Sequence, residues 1–419
     1  MALKRSLGLF DATSIGIGAI VGAGIFVVTG VAAGLAGPAL MLSLVIGAVV
    51  AGFSAISFAE LSRCIPKEGG GYEFAHELIS PAAGFISGWT WIISNLVVGA
   101  AVAIGFASYL NTFVSVPINV VAALACVLVT AVNLAGSRES GILNDVLVVI
   151  KLAILAIFVA FGITHVSSSN FIPFAPKGAV GVLQGSALIF FAYAGFARIT
   201  LVGEEVKDPK KTVPKAIILA LGISTLVYIF VAFTAIGLVG YKEISSSGSP
   251  LADAASAESH NIESLISVGA LAATLGVLLT TLLGLSRISF AMARRNDLPR
   301  IFARLGLKSQ TPYWAIIVLG AAMTVFAAFA TLHQAAAIAN FAALIYYGMG
   351  NYSAYKLKDR NFPRVISVLG LVSCSLLLFF LTTTAWLVGG AVIVVGFAVY
   401  MMRRQRVKSV PGQGECVRT

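Results

Sequence analysis

The sequence predicts an all-α polytopic membrane protein with twelve transmembrane helices, and three observations carry that prediction. Of 419 residues, 58% are hydrophobic and only 11% charged, too few charges to cover a soluble domain of this size. Mean hydropathy is +0.96, and the apolar residues fall in runs long enough to cross a bilayer. The formal net charge of +11 resides in short basic segments between apolar runs, a pattern that marks topology rather than a nucleic-acid surface.

Taken in order, residues 1–10 carry Lys4 and Arg5 and lead into the first span, about 12–34, whose apolar run is longer than the core of a cleavable signal. Span two covers 39–59. A polar loop with an amphipathic piece, 63–89, turns into span three at 84–110, and span four follows near 116–135. The GSRESG loop at 136–141 precedes span five, 142–162, which contains Asp145 and Lys151. The soft loop HVSSSNFIPFAPKG separates the halves. Span six covers 179–203, span seven 213–239, and the longest polar loop, 240–264, leads to span eight at 265–292. Spans nine and ten lie at 313–332 and 335–355. The stretch 365–402, knotted by Thr382–Thr384, is long enough for two further spans of about 17 residues each.

Basic residues orient these spans. With the N-terminus inside, Lys177 and Lys242 are the basic residues left in outer loops, so both termini are expected in the cytoplasm and the chain in the cell membrane. Cys64, Cys126, Cys374 and Cys416 show no metal or redox spacing, and His76, His165, His260 and His333 are isolated, so no metal site is expected. No GxxxxGK[ST] loop occurs, which argues against ATP drive. No cofactor and no enzymatic activity are expected; the expected partners are a small-molecule substrate, a coupling proton and the lipid bilayer.

The first span is unusual. It reads GIGAIVGAGIF at 16–26, with Gly16, Gly18, Gly22 and Gly24 where a membrane helix ordinarily carries bulk. Such a backbone can open its hydrogen bonds at mid-membrane where it faces a polar cavity, offering N–H groups to a carboxylate and carbonyls to a cation. Close helix packing through small residues is the alternative. Span six has a second small-residue break, AYAG at 192–195. The two broken spans lie five apart and cross in opposite senses, as inverted repeats of five helices require, and paired breaks point to a substrate site at the midplane.

GAIVGAGIF, PKEGGGYEF, FFAYAGF with EEVKDPKKTVPKAI, and FAMARRNDLP occur in that order between residues 9 and 299. The ordered set resembles the amino acid–polyamine–organocation superfamily, and its prokaryotic amino acid permeases in particular. The resemblance implies a five-plus-five inverted-repeat fold in a single transmembrane domain, with repeats at about 9–164 and 179–358 and two extra helices at about 365–402. It also implies alternating access. The substrate carboxylate would meet N–H groups at Ala23, Gly24 and Ile25, and the ammonium would meet carbonyls at Ile20, Phe191 and Ala194. The Phe191 ring matches an aromatic that closes over substrate in relatives, though it reads equally well as a packing aromatic. Ser94 and Asn95 match positions near the substrate side chain; a helix-to-helix hydrogen bond by Asn95 is the alternative.

Lys151 lies deep in span five, where an ammonium is costly unless it is paired or functional. VLVVIKLAIL resembles proton-coupled relatives, in which a lysine takes the place of a sodium ion and bridges spans one and eight. Asp145 is off its helical face and is a poor local partner. Arg198, just past the second break, is read as an inner-gate partner of Glu60, Glu204 or Glu205, with an anionic substrate group as the alternative. The resulting expectation is an amino acid:proton symporter. Sodium symport, exchange, polyamine or cationic amino acid transport, and a non-transporting sensor are the other readings.

Overall fold

Helices form where an apolar run is bounded by prolines and glycines that start and stop it. The computed structural model describes residues 5–22, 24–111, 113–247, 249–256, 260–306, 310–329 and 332–408, and among them there is no β-strand. The helices are α1 (Leu9–Ile20), α2 (Thr29–Ala36), α3 (Leu40–Cys64), α4 (Gly71–Leu78), α5 (Pro81–Leu110), α6 (Ile118–Ala135), α7 (Ser137–Gly162) and α8 (Gly178–Tyr193). They continue as α9 (Ala197–Leu201), α10 (Pro209–Ser246), α11 (Pro250–Ser256), α12 (His260–Arg294), α13 (Tyr313–Phe329), α14 (Leu332–Lys356), α15 (Arg364–Leu378) and α16 (Thr383–Lys408). Ser80 starts α5 by accepting the Ala83 N–H at 3.1 Å, with Pro81 in the first turn, where its missing N–H costs nothing. Gly240, at φ 82°, kinks α10 near its end.

The first span is divided, as its glycines predict. α1 stops at Ile20, a π-helical turn covers Gly24–Val28, and α2 then runs through a 3-10 turn into α3. The sixth span is tightened rather than opened: a 3-10 turn at Ala194–Phe196 joins α8 to α9. Two expected loops are partly helical. α7 begins at Ser137, inside the GSRESG segment, and α11 lies within the long polar loop. Phe379–Thr382 separates α15 from α16 at the threonine knot, where the Thr382 hydroxyl accepts the Ala385 N–H.

Among the described residues, nine helical segments are long and apolar enough to cross a membrane, and Tyr313–Phe329 and Arg364–Leu378 are shorter apolar helices. Burial is inverted relative to a water-soluble fold: Lys151 and Arg287 are 0% exposed, whereas Phe329 is 84% and Leu387 70% exposed. Apolar side chains facing outward around buried cations are what a bilayer solvent demands. The chain is a multi-pass membrane protein.

The first span packs against α7, α8, α9, α10 and α12, and its glycines set the spacing. A methyl group on Gly16 would come within 2.6 Å of Ala220 in α10 and Ile199 in α9. On Gly18 it would meet Asn144 of α7, and on Gly22 it would meet Val277 of α12. On Gly24 it would meet Ala192 of α8 at 2.7 Å and the Tyr228 hydroxyl of α10. Each glycine thus admits a different neighbour to van der Waals contact, so the small-residue stripe packs helices as well as interrupting one.

Candidate functional site

The two broken spans meet at their breaks. A methyl group on Gly195 would lie 2.6 Å from the carbonyl carbon of Ala19 and 2.7 Å from the Ile20 nitrogen, so the two backbones touch with no side chain between them. Beside this crossing is a cavity lined by Ile20 and Gly24 from the first span and by Ala194 and Arg198 from the sixth. Its other walls come from Trp91, Ser94 and Asn95 of α5, Val277 of α12 and Tyr347 of α14. The α5 residues lie three and four apart in sequence, which puts them on one helical face.

The polar backbone groups at the cavity are already engaged by the protein. The Ile25 and Phe26 N–H groups donate to the Gly22 carbonyl at 3.1 and 3.2 Å. The Ile20 carbonyl accepts the Tyr228 hydroxyl at 2.6 Å, and the Ala194 carbonyl accepts the Tyr347 hydroxyl. A carbonyl carries two lone pairs, so each can accept a second donor from a ligand. Ala23 and the side chain of Phe191 lie outside the described residues.

Lys151 of α7 sits directly against the end of α1. Its ammonium donates to the carbonyls of Ile17 at 3.4 Å, Gly18 at 3.1 Å and Val21 at 2.5 Å. The Ile17 carbonyl also accepts the Val21 N–H at 2.8 Å, and carbonyls at the end of a helix carry the negative pole of its dipole. α12 approaches at Gly276, where a methyl group would lie 3.9 Å from Nζ. The described hydrogen bonds of Lys151 all go to the first span, so the span-eight half of the expected bridge is a close approach rather than a bond. Asp145 instead faces Ser14 and Asp11, nearer the start of α1.

Arg198 is buried and turned toward the cavity, away from the carboxylates expected as its gate partners. It donates through Nη1 to the Thr280 hydroxyl at 3.0 Å and through Nη2 to the Asn95 side-chain carbonyl at 3.4 Å. Asn95 in turn donates to the Trp91 carbonyl at 2.9 Å. Glu205 pairs with Arg287 at 2.6 Å, Glu204 with Arg294 at 2.8 Å and Glu60 with Arg63 at 3.4 Å.

One end of the bundle is closed by charged groups from the matched motifs. Arg295 grips Glu73 through Nε at 2.8 Å and Nη2 at 2.6 Å, and the Tyr72 hydroxyl donates to Asp297 at 2.8 Å. Glu68, from PKEGGG, is buried beside Glu205 and Arg287, and neither of its carboxylate oxygens has a hydrogen-bond partner. Burial and the neighbouring Glu205 charge push its carboxyl well above the usual carboxylate range. Burial also raises Asp297 and lowers His76.

Sequence reading missed Tyr228, Tyr347, Trp91 and Val277. Trp91 shares a helical face with Ser94 and Asn95 and was within reach of periodicity. The two tyrosines were not, because their roles depend on which face of α10 and α14 turns inward.

Residues 11–412 match the amino acid permease family. An uncharacterised transporter of Mycobacterium tuberculosis is 38% identical over 409 residues, covering 96% of this chain and 92% of the relative. A branched-chain amino acid permease of Bacillus subtilis is 30% identical over 96% of this chain and 91% of its own length. A methylthioribose transporter of the same organism is 31% identical over 96% and 94%. With a family match spanning nearly the whole sequence, and a cavity where two interrupted helices cross, the chain belongs to the amino acid permease family of the amino acid–polyamine–organocation superfamily and is a transporter rather than an enzyme.

Proposed function

We propose that the chain imports amino acids across the cell membrane by alternating access, in symport with protons, with Lys151 as the coupling group. The observation that carries the proposal is the fully buried ammonium bound to three carbonyls at the end of α1, next to the cavity that α1 lines. In this reading the substrate carboxylate approaches the N–H groups of the first break at Ala23, Gly24 and Ile25, the last exchanging its bond to the Gly22 carbonyl for one to the carboxylate. The ammonium meets the carbonyls of Ile20, Phe191 and Ala194, sharing the first with the Tyr228 hydroxyl and the last with the Tyr347 hydroxyl. Protonated Lys151 clamps the end of α1 with three charge-assisted bonds; loss of the proton removes the charge, leaves two N–H donors for three carbonyls, and lets the first span move. The five-plus-five repeat, at about 9–164 and 179–358 with two further helices at about 365–402, supplies the rocking elements. Both termini lie in the cytoplasm in this reading, which the basic-residue pattern supports. Sodium symport is the poorer fit, since Nζ fills the space between α1 and α12 that the ion needs.

An uptake screen over the standard amino acids in proteoliposomes tests the proposal. At least one amino acid should accumulate under an inward proton gradient without sodium, and a protonophore should abolish the accumulation. Uptake of none of them, or uptake that follows sodium and ignores the proton gradient, contradicts it.

A further inference from the structure

The central cavity carries a charge that a simple zwitterion does not use. Among the described residues lining it, Arg198 is the one charged side chain, 6% exposed, and no carboxylate lines the cavity. All its described hydrogen-bond acceptors are neutral: the Thr280 hydroxyl at 3.0 Å, the Asn95 side-chain carbonyl at 3.4 Å and the Val277 carbonyl at 3.5 Å. Glu204 and Glu205, in the same stretch of chain, are held by Arg294 and Arg287. A guanidinium taken out of water without an anion is costly. Here it is also aimed, because Asn95 spends its amide N–H on the Trp91 carbonyl and so turns its oxygen to Nη2. Lys151, at the other side of the α1 end, adds a second cation whose described partners are all carbonyls.

A zwitterionic amino acid brings no net charge to this site, and its own carboxylate and ammonium are accounted for by the helix ends. Arg198 lies four residues beyond Ala194 and lines the same cavity, within the space open to the side chain of a substrate held at the Ala194 carbonyl. We propose that Arg198 is the specificity-determining residue of the central site and binds a second carboxylate, so that the transporter takes amino acids with acidic side chains and rejects those with cationic ones. The inference rests on the cavity being the substrate site. A planar guanidinium suits a carboxylate through paired N–H donors, and a site built to pair an ion discriminates strongly against the neutral isostere.

The test is ligand binding to the purified full chain in nanodiscs, read as substrate-induced thermal stabilisation, with L-glutamate, L-aspartate, L-glutamine, L-leucine and L-arginine. Wild type should bind glutamate or aspartate at least tenfold more tightly than glutamine or leucine, and arginine least. Arg198→Gln should lose that preference while still binding glutamine; Arg198→Lys, which keeps the charge, should retain much of it. Should Arg198→Gln fail to fold, the wild-type ratio of glutamate to glutamine and the Arg198→Lys protein decide. Tighter binding of leucine, glutamine or arginine by wild type overturns the inference and leaves the permease reading standing. Binding of no amino acid at all overturns both.

Discussion

Arg287 is fully buried in α12 and donates through Nε to Glu205 at 2.6 Å, a pair of charges that neither lipid nor water reaches. Removing one partner strands the other, so Arg287→Met should cost about 3–5 kcal/mol of stability. Adding Glu205→Leu should recover part of the loss, measured as melting temperature in detergent. A double variant no more stable than the single one contradicts this account of the pair. Glu68 beside them makes the opposite case. Its folded carboxyl holds a proton more tightly than an unfolded one, because it is buried beside Glu205 and Glu204, offset in part by Arg287 and Arg294. Stability from that group is therefore present at acid pH and falls as pH rises above the unfolded value of about 4.3. Between pH 5 and pH 8 wild type should lose more melting temperature than Glu68→Gln; parallel losses contradict it. The sequence announced Lys151 and Arg198 as unusual, since charges inside apolar spans are visible at once. Partners were not visible: Arg287 of span eight meets Glu205 from the turn after span six, and Arg198 faces Asn95 across the cavity rather than an acid.

The interruptions are elements of packing as much as of binding. Gly195 meets the Ala19 and Ile20 backbone, which cannot swing aside as a side chain can. Gly195→Ala should therefore force the two broken spans apart, lowering stability by about 1–3 kcal/mol and abolishing substrate-induced stabilisation. Gly52→Ala and Gly222→Ala, where an added methyl meets nothing within 4 Å, should be neutral or stabilising by up to about 1 kcal/mol. A tolerated Gly195→Ala would remove the close crossing from the account. A bulky residue at Gly24 is a poor probe of carboxylate binding, since it strikes Ala192 and Tyr228 before any ligand. The existence of both breaks was legible from bare glycine and alanine runs. Their form was not: glycine content cannot distinguish a segment that opens at Val21 and resumes as a π turn from one that tightens into a 3-10 turn.

At the scale of the molecule, apolar runs and basic loops gave the class and most helix positions, because a bilayer rewards little else. Helix ends inside polar loops, such as α7 at Ser137 and the short α11, were hidden because hydropathy carries no signal there. Topology follows from the same charges: Ser247→Cys should be labelled from outside intact cells, and Lys210→Cys should not. Labelling at Lys210→Cys in sealed cells reverses the orientation. The central claim is that one buried ammonium ties substrate movement to protons, and simultaneous recording of amino acid uptake and internal pH tests it most directly. The preparation is sodium-free proteoliposomes containing a trapped pH-sensitive dye, with an inward proton gradient imposed. Wild type should accumulate substrate and acidify the interior together. Lys151→Ala should bind or equilibrate substrate without accumulation or coupled acidification, and Lys151→Arg, which keeps its charge but cannot release its proton, should also fail to accumulate. Undiminished accumulation by Lys151→Ala, or wild-type uptake that follows sodium and leaves internal pH unchanged, would contradict it.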